Sequence, residues 1–240
     1  MRALQGGTVL AAAMCLALGG CSTPTETEAD EQSITTGPES SLIPPRDPAP
    51  VEVNIAGLAD MAADFPPEFP VVGTSAPGKV EARWANLVGL VVGSGKRVSV
   101  DPPQCKALFA PVNAQGDADR MGVGAEGPDK QLLNISVYTP VTVPVAIPSA
   151  GCERMSFHVD DDAVLTQGTA DRLAAPSIEG ASTTAMRIQV EFWEFVEYHY
   201  VAILDGRTFV QVVARVHPGF SAEPLLPDLL VKGVAAIRGA

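Results

Sequence analysis

The chain has 240 residues, 46% of them hydrophobic and 18% charged, which is enough for one domain with a real core and too few for two large ones. Its 28 acidic residues outnumber 16 basic ones for a net charge of −12, which argues against nucleic acid and against a polybasic membrane patch, since both need clustered positive charge. Aromatics make up only 5%, so stacking platforms for sugars or bases are scarce.

The first 20 residues read as a lipoprotein signal peptide. Arg2 supplies a minimal positive start, and Val9 to Leu18 is an apolar run too short to span a bilayer. Leu18-Gly19-Gly20-Cys21 then forms a lipobox-like sequence, with small side chains beside the cut and a thiol to modify. Cleavage would leave Cys21 as the first residue, carrying a diacylglyceryl thioether and an N-acyl chain such as palmitate. Two or three chains anchor firmly where one is marginal. The expected location is outside the cytoplasm, tethered to the cell membrane. Losing Arg2 leaves 15 basic residues against 28 acidic ones, a net −13, so the mature chain should stand off an anionic membrane.

The cysteines sort accordingly. Cys15 leaves with the signal and Cys21 is lipidated, so Cys105 and Cys152 remain as an even pair in an exported chain, for which a disulfide is the default. Residues 21–50 read as a disordered Pro/Thr/Glu-rich tether, because almost nothing in them is apolar enough to offset the entropy of ordering. Pro44, Pro45, Pro48 and Pro50 stiffen its end. Six acids fall in that tether, which leaves 22 acidic and 14 basic residues in 51–240, an ordinary soluble surface.

From Val51 onward the composition is that of a single domain. Ile55 to Ala63 reads as a helix ended by Pro66 and Pro67. Val80, Trp84, Leu87, Val88 and Val91 recur at helical spacing and predict an amphipathic helix. Pro102 and Pro103 favour the start of a short helix carrying Cys105. Gln131–Val137 and Cys152–Val159 alternate as strands, and Met186, Ile188 and Val190 continue the pattern. Tyr198–Leu204 and Thr208–Val216 flank Asp205-Gly206, a strong hairpin signal, and His217-Pro218-Gly219 stops the second strand. Leu225, Leu226, Leu229, Leu230, Val234 and Ile237 form the stripe of a C-terminal helix. Helices, then strands, then a helix predict an α+β fold: a mostly antiparallel sheet with amphipathic helices packed on one face and one disulfide.

Several segments in this order resemble a known family. They are Phe65-Pro66-Pro67-Glu68-Phe69, Val100-Asp101-Pro102-Pro103-Gln104-Cys105, Ala175-Pro176-Ser177-Ile178-Glu179-Gly180-Ala181 and the ending from Leu229 to Gly239. The chain is similar to mycobacterial cell-envelope lipoproteins grouped as a domain of unknown function. That family is distantly similar to the extracellular sensor domain of a mycobacterial receptor kinase, an α+β domain with a cleft beside its sheet. The resemblance implies fold and location, and no chemistry.

Motifs that carry chemistry elsewhere are weak here. Gly122-Val123-Gly124-Ala125-Glu126-Gly127 spells GxGxxG, but a polar stretch precedes it and Pro128 with a strand-like run follows, where a dinucleotide site needs a strand before and a helix after. It reads as a flexible loop, whose rim can still shape a pocket. Gly93-Ser94-Gly95-Lys96 has the wrong register for a phosphate loop and reads as a turn. Asp160-Asp161-Asp162 lacks the partners of a calcium loop and reads as a solvated turn. His158, His199 and His217 are dispersed, with no HExxH and no GxSxG elbow in the chain. No metal and no cofactor is expected.

Phe192, Trp193, Phe195, Tyr198 and Tyr200 hold five of the 13 aromatics within nine residues. Core packing accounts for such a run. The sharper reading is one wall of an apolar ligand pocket, with Glu191, Glu194 and Glu197 at its mouth. The function expected is a non-catalytic binding or sensing module for an envelope ligand, a lipid or glycan fragment, or for an envelope protein. The alternative is an envelope hydrolase acting on esters or glycans.

Overall fold

The computed structural model describes residues 52–92, 97–148, 150–160 and 166–239. The expected signal peptide, Cys21 and the tether lie outside the described residues, as do Gly93 to Lys96, Asp161 and Asp162.

Among the described residues nine strands form one sheet: β1 (Val71–Lys79), β2 (Arg97–Asp101), β3 (Asn113–Glu126), β4 (Leu132–Thr142), β5 (Arg154–Asp160), β6 (Thr166–Leu173), β7 (Ala181–Val190), β8 (Val196–Leu204) and β9 (Thr208–Val216). Their order across the sheet is β1-β3-β4-β9-β8-β7-β6-β5-β2, and every neighbouring pair is antiparallel. The β8–β9 hairpin turns at Asp205 and Gly206, both at positive φ (48° and 65°), as a tight turn between twisted strands requires.

The helical segments are α1 (Lys106–Phe109), α2 (Leu225–Arg238) and short 3₁₀ pieces. Ile55–Asp64 is helical as expected, but as a 3₁₀ helix. Asn54 caps it, its side-chain oxygen accepting from the Ala56 amide at 3.2 Å, and Phe65 turns extended before Pro66. Gly57 lets it press onto α2, since a Cβ there would collide with the Ala236 carbonyl oxygen. Leu226, Leu229, Leu230, Val234 and Ile237 of α2 are buried, as their stripe predicts.

The amphipathic helix expected over Val80 to Val91 does not form. That stretch holds only a six-residue 3₁₀ turn, Ala82–Leu87, with Trp84 outward. Gly89 sits at φ +78°, which an α-helix does not pass through, so Val80, Val88, Val91 and Val92 enter two separate clusters instead of one stripe. The loop expected at Gly122–Gly127 is also overturned. Glu126 and everything before it back to Asn113 is strand β3, because Met121, Val123 and Ala125 alternate into the core and the glycines fall on the other face.

The layering follows from β8, all nine of whose residues are buried. Val196, Tyr198, Tyr200, Ala202 and Leu204 face the core under α2 and the first 3₁₀ helix, together with the inward residues of β3, β4 and β9. Val201 and Ile203 alternate to the opposite side. On that side Val91, Val92, α1 and the Cys105–Cys152 disulfide cover β2, β5, β6 and β7 through Val100, Met155, Phe157, Ala170 and Ile188. The helical segments therefore lie on both faces of the sheet, where one face was expected. The reason is length: α2 packs on β4, β8 and β9, so the far half is sealed by the segments on either side of β2. A third cluster, Val80, Val88 and Val112 over Val201, Ile203 and Phe209, seals one end of the face opposite α2, and the rest of that face over β1, β3, β4 and β9 is open.

Candidate functional site

The open face of the β1–β3–β4–β9 half lies opposite α2. Four antiparallel pairs run along its middle: Arg120 with Tyr138, Gly122 with Ser136, Gly124 with Asn134, and Glu126 with Leu132. Six residues of strand at ~3.4 Å each make this a track of about 20 Å. Its floor is low because Gly122 and Gly124 have no side chain, and Gly73 on β1 adds a third gap. Floor polar groups are tied to one another. Ser75 Oγ accepts from the Gly122 amide at 2.7 Å, and Gln211 Nε2 donates to Ser136 Oγ at 3.1 Å.

Both ends of the track open into shallow hollows. One, of about 270 Å³, lies between Trp84, Leu87, Arg120 and Tyr138. The other, of about 590 Å³, is bounded by Trp193, Phe195, Leu132, Arg215 and the acids Glu126 and Glu194. Two electrostatic contacts build the second end. Arg215 lies over the Trp193 ring, 5.6 Å from its centroid, and its Nη2 is 2.7 Å from Glu197 Oε1. Phe195 stacks on His217 with centroids 4.9 Å apart. Burial pushes the Glu197 carboxyl up, but the nearby His199 imidazole and the Arg215 guanidinium pull it down further, so its pKa falls below the ordinary 4.5. At 3.5 Å, the His199 Nε2 to Glu197 Oε2 approach is too loose for a well-formed hydrogen bond.

The aromatic run splits between the two faces. Trp193, 46% exposed, and Phe195 line the large cavity, as does Glu194. Tyr198 and Tyr200 point the other way, into the core beneath α2. Burial, with Glu223 and Tyr198 nearby, raises the Tyr200 hydroxyl to about 12. Phe192 is 100% exposed at φ +66°, on the tip of the β7–β8 turn and not in the cavity wall. Glu191 accepts from Gln167 Nε2 at 2.7 Å, beside the open face of the other half. The split falls at the start of β8: Trp193 to Phe195 belong to the turn before it, whereas Tyr198 and Tyr200 alternate into the core within the strand. The Trp84 end and the glycine floor were not recognisable from the sequence as parts of a site. Their only signal is the alternation of Gly122 and Gly124 with apolar Met121, Val123 and Ala125.

The histidines stay apart. His158 is half-buried on β5 opposite Ser99, whose hydroxyl donates to the His158 carbonyl oxygen at 3.3 Å, not to its ring. His217 Nε2 lies 3.9 Å from Asp129 Oδ2. Among the described residues no three His, Cys, Asp or Glu side chains gather as a metal site requires.

Fold and site together define an antiparallel α+β domain with a groove over β1, β3 and β4 on the face opposite α2. The chain belongs to the family described as Domain of unknown function (DUF5642), whose model matches residues 54–238. It is similar in structure to an uncharacterised protein of Mycobacterium smegmatis, described as an Rv0999 ortholog, with a TM-score of 0.58 and 24% identity over 78% of this chain and 98% of that one. At that identity the likeness shows the fold alone. No curated protein matches the chain.

Proposed function

We propose that the chain is a lipid-anchored, extracytoplasmic module that binds an envelope ligand without transforming it. The observation that carries the binding reading is the groove over the glycine floor of β3 and β4, ending in a hollow of about 590 Å³ beside Trp193 and Phe195. Such a concave site, apolar at one end with a few convergent polar groups, is what ligand recognition uses. The lipobox-like sequence ending at Cys21 supports the anchor. The Cys105–Cys152 disulfide supports an oxidising compartment, where such bonds persist. A sensing use of the same face is part of this proposal, as the sequence resemblance to the extracellular sensor domain of a receptor kinase implies.

Two measurements on the full chain test the two halves of this reading. Intact mass and membrane fractionation should find acyl chains on the mature protein, and Cys21→Ala should release it to the soluble fraction. An unmodified Cys21 in a lipoprotein-processing host would sink the anchor. Native mass spectrometry of protein extracted from its envelope should find a bound molecule that Trp193→Ala loses. An unloaded protein that takes up nothing from an envelope extract would sink the binding reading.

A further inference from the structure

The chain has two tryptophans, and they stand at opposite ends of the same groove. Trp84 is 50% exposed on the 3₁₀ turn at one end, beside the Arg120–Tyr138 pair. Trp193 is exposed to a similar degree at the other, beside the Glu126–Leu132 pair. Each indole has a guanidinium over it, Arg83 at 5.2 Å from the Trp84 centroid and Arg215 on Trp193. That contact steadies each ring and occupies one of its two faces.

We infer that this groove binds a neutral glycan chain, laid along β3 and β4 with a sugar ring stacked at each tryptophan. The inference rests on the binding reading above and names its ligand class. Three features carry it. A sugar ring has an apolar C–H face and a hydroxyl-bearing edge, and it needs a flat apolar partner beside hydrogen-bonding groups. The groove offers that pairing at both ends, with the hydroxyls and amides of Ser75, Ser136, Asn134 and Gln211 between them. The glycines leave room for a polymer to lie close to the backbone along about 20 Å of strand. Third, the charges lining the two ends balance. Glu81 with Arg120 stands at one, and Glu126 and Glu194 with Lys130 and Arg215 at the other. A lining of three acids and three bases favours neither a polyanion nor a polycation, so the complementary ligand is neutral. An acyl chain fits poorly, because the middle of the track is polar and open where a lipid needs continuous apolar enclosure.

The test uses the full mature chain in detergent. Its probes are neutral hexasaccharides of glucose, mannose, galactose and arabinose, a galacturonic acid hexamer as the charged counterpart, and a long-chain fatty acid. Tryptophan emission and calorimetry report binding, and both emitters sit in the groove. A neutral hexamer should bind and shift the emission. Trp84→Ala and Trp193→Ala should each weaken it about tenfold, one stacking contact's worth, with far-UV circular dichroism unchanged. A disaccharide of the same sugar spans one end only and should lose affinity in one of the two variants. Preference for the acid hexamer or the fatty acid overturns the glycan inference and leaves the binding reading standing. So does the absence of both neutral-hexamer binding and a glycan mass on the native protein, if that protein carries another molecule. Glycan binding indifferent to both variants overturns the groove as its site. A protein that binds no probe and carries no bound mass removes both readings together.

Discussion

Glu197 shows how one buried charge organises the large cavity. It sits on β8, 8% exposed, on the face opposite α2, where an unpaired carboxylate would be costly. Arg215, its partner across β8 and β9, compensates by direct contact and at the same time lies over Trp193. Removing the carboxylate therefore loosens the guanidinium that steadies the cavity wall. Glu197→Gln should cost about 2 kcal/mol at pH 7, the usual worth of a hydrogen bond to a charged group. The pH dependence has a defined sign. The carboxyl is held below its ordinary 4.5 in the folded chain, so its contribution is present above that value and is lost as pH falls through the lower folded one. Urea unfolding of both proteins at pH 7 and at pH 3 should show the gap shrinking in acid. A gap of equal size at both would mean that Glu197 acts through packing and not through charge.

At the scale of elements, the parts legible in the sequence are those where a local pattern and the tertiary environment agree. The β8–β9 hairpin is fixed by Asp205-Gly206, and α2 by an apolar stripe that meets a single sheet face. Strands β1, β3 and β6 escaped because each breaks the propensity rules: β1 carries Gly73, Pro77 and Gly78, β3 carries Gly116, Gly122 and Gly124, and β6 is mostly polar. Those residues are tolerated for positional reasons. Pro77 lies on an edge strand, Gly116 packs against Ala82, and Gly122 and Gly124 face the groove. The apolar run over Val80 to Val91 misled for the opposite reason, since its residues are buried but in two clusters on either side of Gly89. Of the candidate site, Trp193 and Phe195 were legible, while Trp84 needed the chain to return to the same face from far away. The disulfide was legible by counting, and its energetic role is regional. It joins the segment before α1 to the start of β5, across 47 residues, inside the core of the β2–β5–β6–β7 half. Replacing Cys105 and Cys152 with Ala should cost about 4 kcal/mol in the loop-entropy picture. Amide exchange should speed up most in β2 and β5, and least in β8 and β9. Uniform acceleration across the sheet would show that the bond stabilises the domain globally.

For the molecule as a whole, the unusual feature is a sheet whose largest covering layers, α2 on one half and α1 with the disulfide on the other, lie on opposite faces. Such an arrangement could behave as two modules joined edge to edge, each with its own core. Strand β8 argues otherwise. Its side chains enter both layers, with Tyr198, Tyr200 and Leu204 under α2 and Val201 and Ile203 on the other side, and β7 does the same through Ala185 against Met186 and Ile188. Losing either core would expose apolar area on these shared strands, and each fully buried large side chain is worth roughly 1.5–3 kcal/mol. That penalty couples the halves. The domain should therefore unfold in one transition, although its buried clusters are separate. The tryptophans make this easy to check, because both report on the groove of the β1–β3–β4–β9 half, whereas far-UV circular dichroism reports on every strand. Urea curves from the two signals should coincide in midpoint and slope. If circular dichroism retained an intermediate plateau after the tryptophan signal was lost, the disulfide-bonded half would be standing alone, and the groove would then belong to a separable and more easily opened part of the fold.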